Sequence, residues 1–258
     1  FAVLVAAGIG GSHEWAVAIK LLEVAAERGW RPAAEQLRVL ATLAEGSVDL
    51  DAWARVPAGV SLHDSPDIRL YRDFLNPQVC ALLIGRSRDR LVRARIYDVG
   101  SKSNVVSEKR TNSSAGFDLM ETDLVHLLVQ RRISLASGLP LVQMEGATVL
   151  HYDVGQEIDN HYDFIDPATP NYEEEVRERG ERVVTFLVYL NDGYEGGETE
   201  FPRLGLRHCG RLGEGLSFTN ALPSGPPDLR SWHAGRPPRS GEKWILSQFI
   251  RNRRVLLL

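Results

Sequence analysis

Cysteine is nearly absent: Cys80 and Cys209 are the only two in 258 residues. Two thiols so far apart build neither a disulfide framework nor a thiolate metal cluster, and they suit a reducing, cytoplasmic setting. There is no excess of basic charge either. Lys and Arg number 30 against 34 Asp and Glu, a net charge of −4, which argues against a dedicated nucleic-acid binder. No apolar run approaches the ~18 residues that a membrane span needs, so no membrane partner is expected. The apolar start, Phe1 to Ile9, is too short to cross a bilayer and carries no basic leader residues. What is present, 43% hydrophobic and 25% charged residues, is the balance of a folded globular chain and excludes extended disorder.

The first ~45 residues are rich in Ala, Leu and Glu, with apolar positions at helical spacing. Trp15, Ile19, Leu22 and Ala26 form one stripe, which Gly29 can terminate. Pro32 suits the first turn of a second helix, with the stripe Ala33, Leu37, Leu40 and Ala44. The segments Ala25-Ala26-Glu27-Arg28-Gly29 and Ala33-Ala34-Glu35-Gln36-Leu37 resemble Sel1-type helical repeats. That resemblance implies a docking arm for a protein partner; the alternative is a helical cap packed on the main domain. Residues 46 to 68, punctuated by Pro57 and Pro66, read as a linker, which gives a helical segment over 1–60 and a second domain over 61–258. Within that domain, Gln78 to Arg88 and Leu119 to Ala136 have helical periodicity and should precede the strands. From Ala147 the pattern turns to short β-branched and aromatic runs: 147–152, 183–190, 216–219 and 244–251. The expected class is α+β, with an antiparallel sandwich or barrel.

Three stretches carry chemistry. In His161-Tyr162-Asp163, alternation along an extended backbone sends His161 and Asp163 to one face, where both can meet one ion. His233 sits in Ser231-Trp232-His233-Ala234-Gly235, and Lys243 opens an apolar strand. Two neutral imidazoles and one carboxylate make the facial triad of non-haem iron(II) oxygenases, with open positions for cosubstrate and oxygen. A metal-binding module without catalysis, or a cupin-type hydrolase using another divalent ion, would use the same ligands. His13, His63, His126, His151 and His208 lack such spacing and read as surface or core residues.

The ordered motifs resemble the prolyl 4-hydroxylase-like branch of the 2-oxoglutarate and iron(II)-dependent dioxygenases. They begin with Tyr152-x-x-Gly155-Gln156 before His161-x-Asp163, and Arg182-Val183-Val184-Thr185 leading to Tyr189-Leu190-Asn191-Asp192. Glu195-Gly196-Gly197-Glu198-Thr199, Phe201-Pro202, Ser231-x-His233-Ala234-Gly235-x-Pro237 and Gly241-Glu242-Lys243-Trp244 follow. The resemblance implies a double-stranded β-helix (jelly roll) with packed helices, preceded by a small all-α segment. It implies Fe(2+) on His161, Asp163 and His233, 2-oxoglutarate with its far carboxylate on Lys243, O2 as co-reactant and ascorbate as reductant. Tyr152 matches a family tyrosine of the cosubstrate pocket. Thr185, Leu187 and Tyr189 share one strand face, so Thr185 and Tyr189 would offer hydroxyls to the same pocket if that face points inward. Glu145 and Arg182 match positions that approach the acceptor. Ile158, Phe249 and Arg251 stand where relatives carry an aromatic, a Trp and a His. Kinship therefore favours a peptidyl-proline acceptor, whereas Arg251 would pair with the carboxylate of a different residue or a free amino-acid-like acid. The polar loop Ser101 to Ser114, carrying Arg110, resembles the family's substrate-covering loop.

Overall fold

Helix dominates the first 54 residues and strand the chain from Thr148 onward, where the apolar spacing has changed from helical to alternating. The computed structural model describes residues 1–41, 46–98, 103–118, 120–170, 172–222 and 225–255. The described helices are α1 (Ala2–Ala6), α2 (Trp15–Glu27), α3 (Arg31–Leu40), α4 (Leu50–Ala54), α5 (Pro77–Arg88), α6 (Leu124–Ser137) and α7 (Tyr172–Arg179). The strands up to the middle of the chain are β1 (Val60–Asp64), β2 (Asp67–Tyr71), β3 (Val92–Arg93), β4 (Ile96–Asp98), β5 (Ser103–Val105), β6 (Ser113–Gly116), β7 (Thr148–Tyr152) and β8 (Ile158–His161). They continue with β9 (Arg182–Tyr189), β10 (Glu195–Gly196), β11 (Thr199–Phe201), β12 (Leu206–His208), β13 (Gly215–Thr219), β14 (His233–Gly235), β15 (Pro238–Ser240) and β16 (Lys243–Arg251). No helix among the described residues is long and apolar enough to cross a membrane.

Two units emerge. One comprises Phe1–Val56 with Phe117–Leu141; the other comprises Pro57–Gly116 and the chain from Val142 onward. The helical unit thus takes in α6, which a single cut at residue 60 assigns to the second domain. In α2 the stripe buries Ala18, Ile19 and Leu22, with Trp15 and Ala26 half-buried at its margins, and Gly29 ends the run at φ +86°. In α3 the buried set is Ala33, Gln36, Val39 and Leu40, so the face is turned from the one Leu37 marks; Ala44 lies outside the described residues. Gln36 explains the turn. Its side-chain oxygen accepts from the Leu124 N–H at 3.1 Å, partnering one of the four free amides at the start of α6, and its amide nitrogen donates to Pro32 O. Asp123 caps α6 by accepting from His126 N, and Gly138 closes it in the left-handed region.

The reading of residues 46–68 as a linker is corrected: α4 and β1 both lie there, and β1 and β2 precede α5. Asp64, Pro66 and Asp67, which look like linker punctuation, make the turn of a hairpin. Alternation was present in the second strand, where Ile68 and Leu70 are buried and Arg69 is exposed.

The larger sheet runs β1-β2-β13-β9-β16-β7-β6-β3 and the smaller β12-β11-β14-β8, every pair antiparallel. This is the jelly-roll arrangement, with β7, β9, β13 and β16 each starting and ending within a residue of the expected runs. On β16, Lys243, Ile245, Ser247, Phe249 and Arg251 line an inner cavity, while Trp244, Leu246, Gln248 and Ile250 pack on the opposite face. Register then places Tyr152, Leu150 and Thr148 of β7 beside Lys243, Ile245 and Ser247. Behind β9, the fully buried Phe186 ring meets Phe74 at 4.8 Å and Tyr71 at 5.4 Å. Phe186→Ala is expected to cost about 3–5 kcal/mol in urea unfolding; a loss under ~1 kcal/mol would contradict this packing.

Candidate metal and cosubstrate site

The minor sheet positions the candidate metal ligands. His161 ends β8, His233 begins β14, and the two are register partners; Asp163 follows His161 by one intervening residue. Nε2 of His161 lies 3.4 Å from Asp163 Oδ1, and Nε2 of His233 lies 3.4 Å from Asp163 Oδ2. The ligand atoms of the three residues all fall within 4.8 Å of one another.

Tautomers follow from the partners. Nδ1 of His161 sits 2.8 Å from Asp159 O and Nδ1 of His233 sits 2.9 Å from Ser231 O. A carbonyl only accepts, so each Nδ1 carries the proton and each Nε2 presents a lone pair to the shared space. Burial drives the His233 imidazole down to about 4, keeping it neutral despite the Asp163 charge. Burial would raise the Asp163 carboxyl, but the electrostatic pull of the polar His233 and His161 rings and the hydrogen bond from Thr185 outweigh it and hold the group well below the ordinary carboxylate range. Neutral nitrogen donors around one carboxylate fit a divalent first-row ion with open positions.

The carboxylate has its own support. Thr185 Oγ1 donates to Asp163 Oδ2 at 2.7 Å, and Asn220 Nδ2 donates to Thr185 Oγ1 at 2.9 Å. Thr185 is therefore corrected from a cosubstrate contact to an orienter of Asp163, because its proton is already committed. Tyr189 is likewise fully buried with its hydroxyl 2.8 Å from Thr199 Oγ1, outside the cavity lining. Asn220 escaped the sequence reading because a single amide after a strand carries no spacing signal.

Lys243 is 0% exposed, at the inner end of a cavity of about 1110 Å³ that also holds the three metal-ligand candidates. Its Nζ has no hydrogen-bond partner among the described residues and faces the Tyr152 ring at 5.0 Å and the Tyr189 ring at 5.8 Å. Burial pulls its pKa down to about 7. An unpaired buried ammonium is costly, and a carboxylate beside it would restore the charged form. The buried Tyr152 hydroxyl is pushed upward and stays protonated, a potential donor on the same wall.

The other end of the cavity is charge-balanced. Glu145 accepts from Arg182 Nε and Nη2 at 2.7 and 2.8 Å and from Arg251 Nε at 2.6 Å. Arg182 lies over the Phe249 ring at 4.0 Å. Arg251, 2% exposed, also donates to Gly180 O and to Glu175 of α7. The expectation that Arg251 meets an acceptor carboxylate is thus corrected: each of its three nitrogens already donates to the protein, two of them to carboxylates, and the side chain is buried. Ile158 and Phe249 are apolar parts of the lining. In the loop carrying Arg110, residues 101 and 102 lie outside the described ones. Residues 109–111 run along β8, Thr111 N donating to Glu157 O and Asp159 N to Lys109 O, and place Arg110 in the cavity wall.

Site and fold together define a mononuclear non-haem iron oxygenase. The profile of the 2OG-Fe(II) oxygenase superfamily matches residues 147–251. A probable prolyl 4-hydroxylase 3 of Arabidopsis thaliana is 31% identical over 221 residues, 78% of this chain and 72% of the relative. Prolyl 4-hydroxylase 1 of the same plant is 33% identical over 205 residues, 73% of this chain and 70% of the relative. The 2OG complex of a viral collagen prolyl hydroxylase from Paramecium bursaria Chlorella virus-1 superposes with a TM-score of 0.54 at 25% identity, covering 71% of this chain and 95% of that one. The chain belongs to the 2OG-Fe(II) oxygenase superfamily, in its prolyl 4-hydroxylase-like branch, and is a dioxygenase that uses Fe(2+), 2-oxoglutarate and O2, with ascorbate as the family's usual reductant.

Two outcomes follow. Thr185→Val keeps the shape but removes the donor to Asp163, and should weaken iron(II) binding about 10–100-fold in equilibrium dialysis; unchanged affinity would contradict the orienting role. The affinity for 2-oxoglutarate should fall as pH rises above about 7, since Lys243 must then regain a proton on binding, by up to about tenfold per pH unit. Anaerobic calorimetry in buffers of different ionisation enthalpy should register that proton uptake; pH-independent binding would contradict it.

Proposed function

We propose that the chain hydroxylates prolyl residues within a peptide, with His161, Asp163 and His233 holding the iron and Lys243 receiving the far carboxylate of 2-oxoglutarate. The observation that carries the peptide reading is the charge balance at the acceptor end. Glu145 pairs with both Arg182 and Arg251, and Glu175 gives Arg251 a second carboxylate, so two guanidiniums meet two carboxylates and Lys243 is the one deeply buried cation of the cavity without a carboxylate partner among the described residues. Such a cavity takes one dicarboxylate and then an acceptor without ionised groups, as an internal prolyl residue is and a zwitterionic free amino acid, with its own carboxylate and ammonium, is not.

Bound iron(II) would activate O2, one oxygen atom ending in succinate as 2-oxoglutarate is oxidised and loses CO2, the other in the hydroxyl placed on the acceptor C–H bond. The protein's own residues do the rest. Asp163, oriented by Thr185, supplies the only negative ligand, leaving a net positive centre that favours a dianionic cosubstrate. Lys243 fixes the direction of that cosubstrate by pairing with one end of it. Leu187 and Ile245 are apolar parts of the lining and keep water away from it. The Arg182 guanidinium, held by Glu145 and lying over Phe249, gives one N–H of Nη1 to Asp163 O and is more exposed than Arg251, so its remaining Nη hydrogens are the ones offered to an acceptor carbonyl beside the apolar Phe249 and Ile158.

With iron(II), ascorbate and 2-oxoglutarate, a synthetic proline-rich peptide should gain the mass of one oxygen atom while free L-proline is left unchanged; turnover of the free amino acid with an inert peptide would contradict the reading. Arg182→Met should raise the peptide KM at least about tenfold and leave the 2-oxoglutarate KM unchanged. Equal shifts in both constants would count against its place at the acceptor.

A further inference from the structure

Lys243 can serve as an anchor only if the backbone beneath it is fixed, and that backbone lies where the ladder between β9 and β16 runs out. The paired register ends at Ile245 opposite Tyr189; continued by two residues it brings Asn191 opposite Lys243. The backbone of Leu190 still donates to Trp244 O at 2.9 Å. Beyond it, the Asn191 side chain takes over. Its amide nitrogen donates to Glu242 O at 2.7 Å and its amide oxygen accepts from Trp244 N at 2.9 Å. These are the two peptide groups that flank the Lys243 α-carbon, so one primary amide, itself a mimic of a peptide group, clamps the lysine on both sides. The following loop completes the cradle. A Cβ on Gly241, at φ +71°, would lie 2.1 Å from Gly193 O, and one on Gly197 would come 3.2 Å from Lys243 Cδ.

We propose that Asn191 is a positioning residue for 2-oxoglutarate, acting through the two peptide bonds on either side of Lys243 rather than by touching the cosubstrate. The inference rests on the assignment of Lys243 to the cosubstrate carboxylate. It predicts that the donor and the acceptor of the amide both matter. Asn191→Leu is near-isosteric and removes both bonds. Asn191→Asp keeps the acceptor for Trp244 N but turns a second oxygen toward Glu242 O. Glu242 remains tied to Arg88 and His151, each at 2.9 Å, so the strand head stays attached in both variants.

The test is anaerobic calorimetric titration of 2-oxoglutarate into the iron(II)-loaded chain, with iron(II) affinity measured in parallel by dialysis. Asn191→Leu should raise the 2-oxoglutarate Kd about tenfold or more, and Asn191→Asp by a few-fold or more, with iron(II) affinity unchanged. In a Lys243→Ala background, Asn191→Leu should add nothing, because the group it positions is gone. If Lys243→Ala weakens 2-oxoglutarate binding and neither Asn191 variant does, the positioning role is overturned and the lysine assignment stands. A further loss from Asn191→Leu in the Lys243→Ala background would also overturn it. If Lys243→Ala itself leaves the Kd unchanged, the lysine assignment fails and the proposal falls with it.

Discussion

A lysine with no exposed surface and no hydrogen-bond partner among the described residues is the constraint around which this jelly roll is arranged. Lys243 sits on the inner face of β16 between two tyrosine rings, in a place where an ammonium loses its water and gains only the faces of aromatic rings. Such a cost makes sense only when an anion completes the site. Everything near it is consistent with a dicarboxylate of limited length. The metal-ligand candidates share the same cavity, Leu187 and Ile245 give its wall an apolar part, and the buried guanidinium of Arg251 is already paired with Glu145 and Glu175.

The metal side obeys the opposite logic. There the protein supplies the negative charge and backs it with one donor, the Thr185 hydroxyl, while the two imidazoles turn nitrogen lone pairs toward the same space. Backbone carbonyls at Asp159 and Ser231 fix which nitrogen of each histidine faces inward. Ligand identity is therefore settled by groups that never touch the ion. The same economy recurs at the acceptor end, where one carboxylate holds two guanidiniums and α7 is tied down through Glu175.

Much of this was legible in the sequence, for identifiable reasons. The long strands β7, β9, β13 and β16 carry enough alternating residues to declare themselves, and the motifs that single out His161, Asp163, His233 and Lys243 come together in one cavity. The minor sheet is different: β8, β11, β12 and β14 run three or four residues each, too short for any period. The hairpin of β1 and β2 was hidden because its turn residues look like those of a linker. Side-chain commitments were the least legible. Alternation placed Thr185 and Tyr189 on the inner face, yet which atom takes the threonine proton, Asp163 or a ligand, depends on a partner 22 residues away in the chain. Arg251 posed the same problem, since its charge is visible in sequence and its neutralisation by Glu145 is not.

The most direct measurement is an anaerobic crystal structure of the chain with iron(II) and 2-oxoglutarate, using anomalous scattering to locate the ion. The account predicts one iron atom among Nε2 of His161, a carboxylate oxygen of Asp163 and Nε2 of His233, with the far carboxylate of 2-oxoglutarate hydrogen-bonded to Lys243 Nζ. Iron elsewhere, or a carboxylate held by Arg110 or Arg182 while Lys243 stays unpaired, would contradict it.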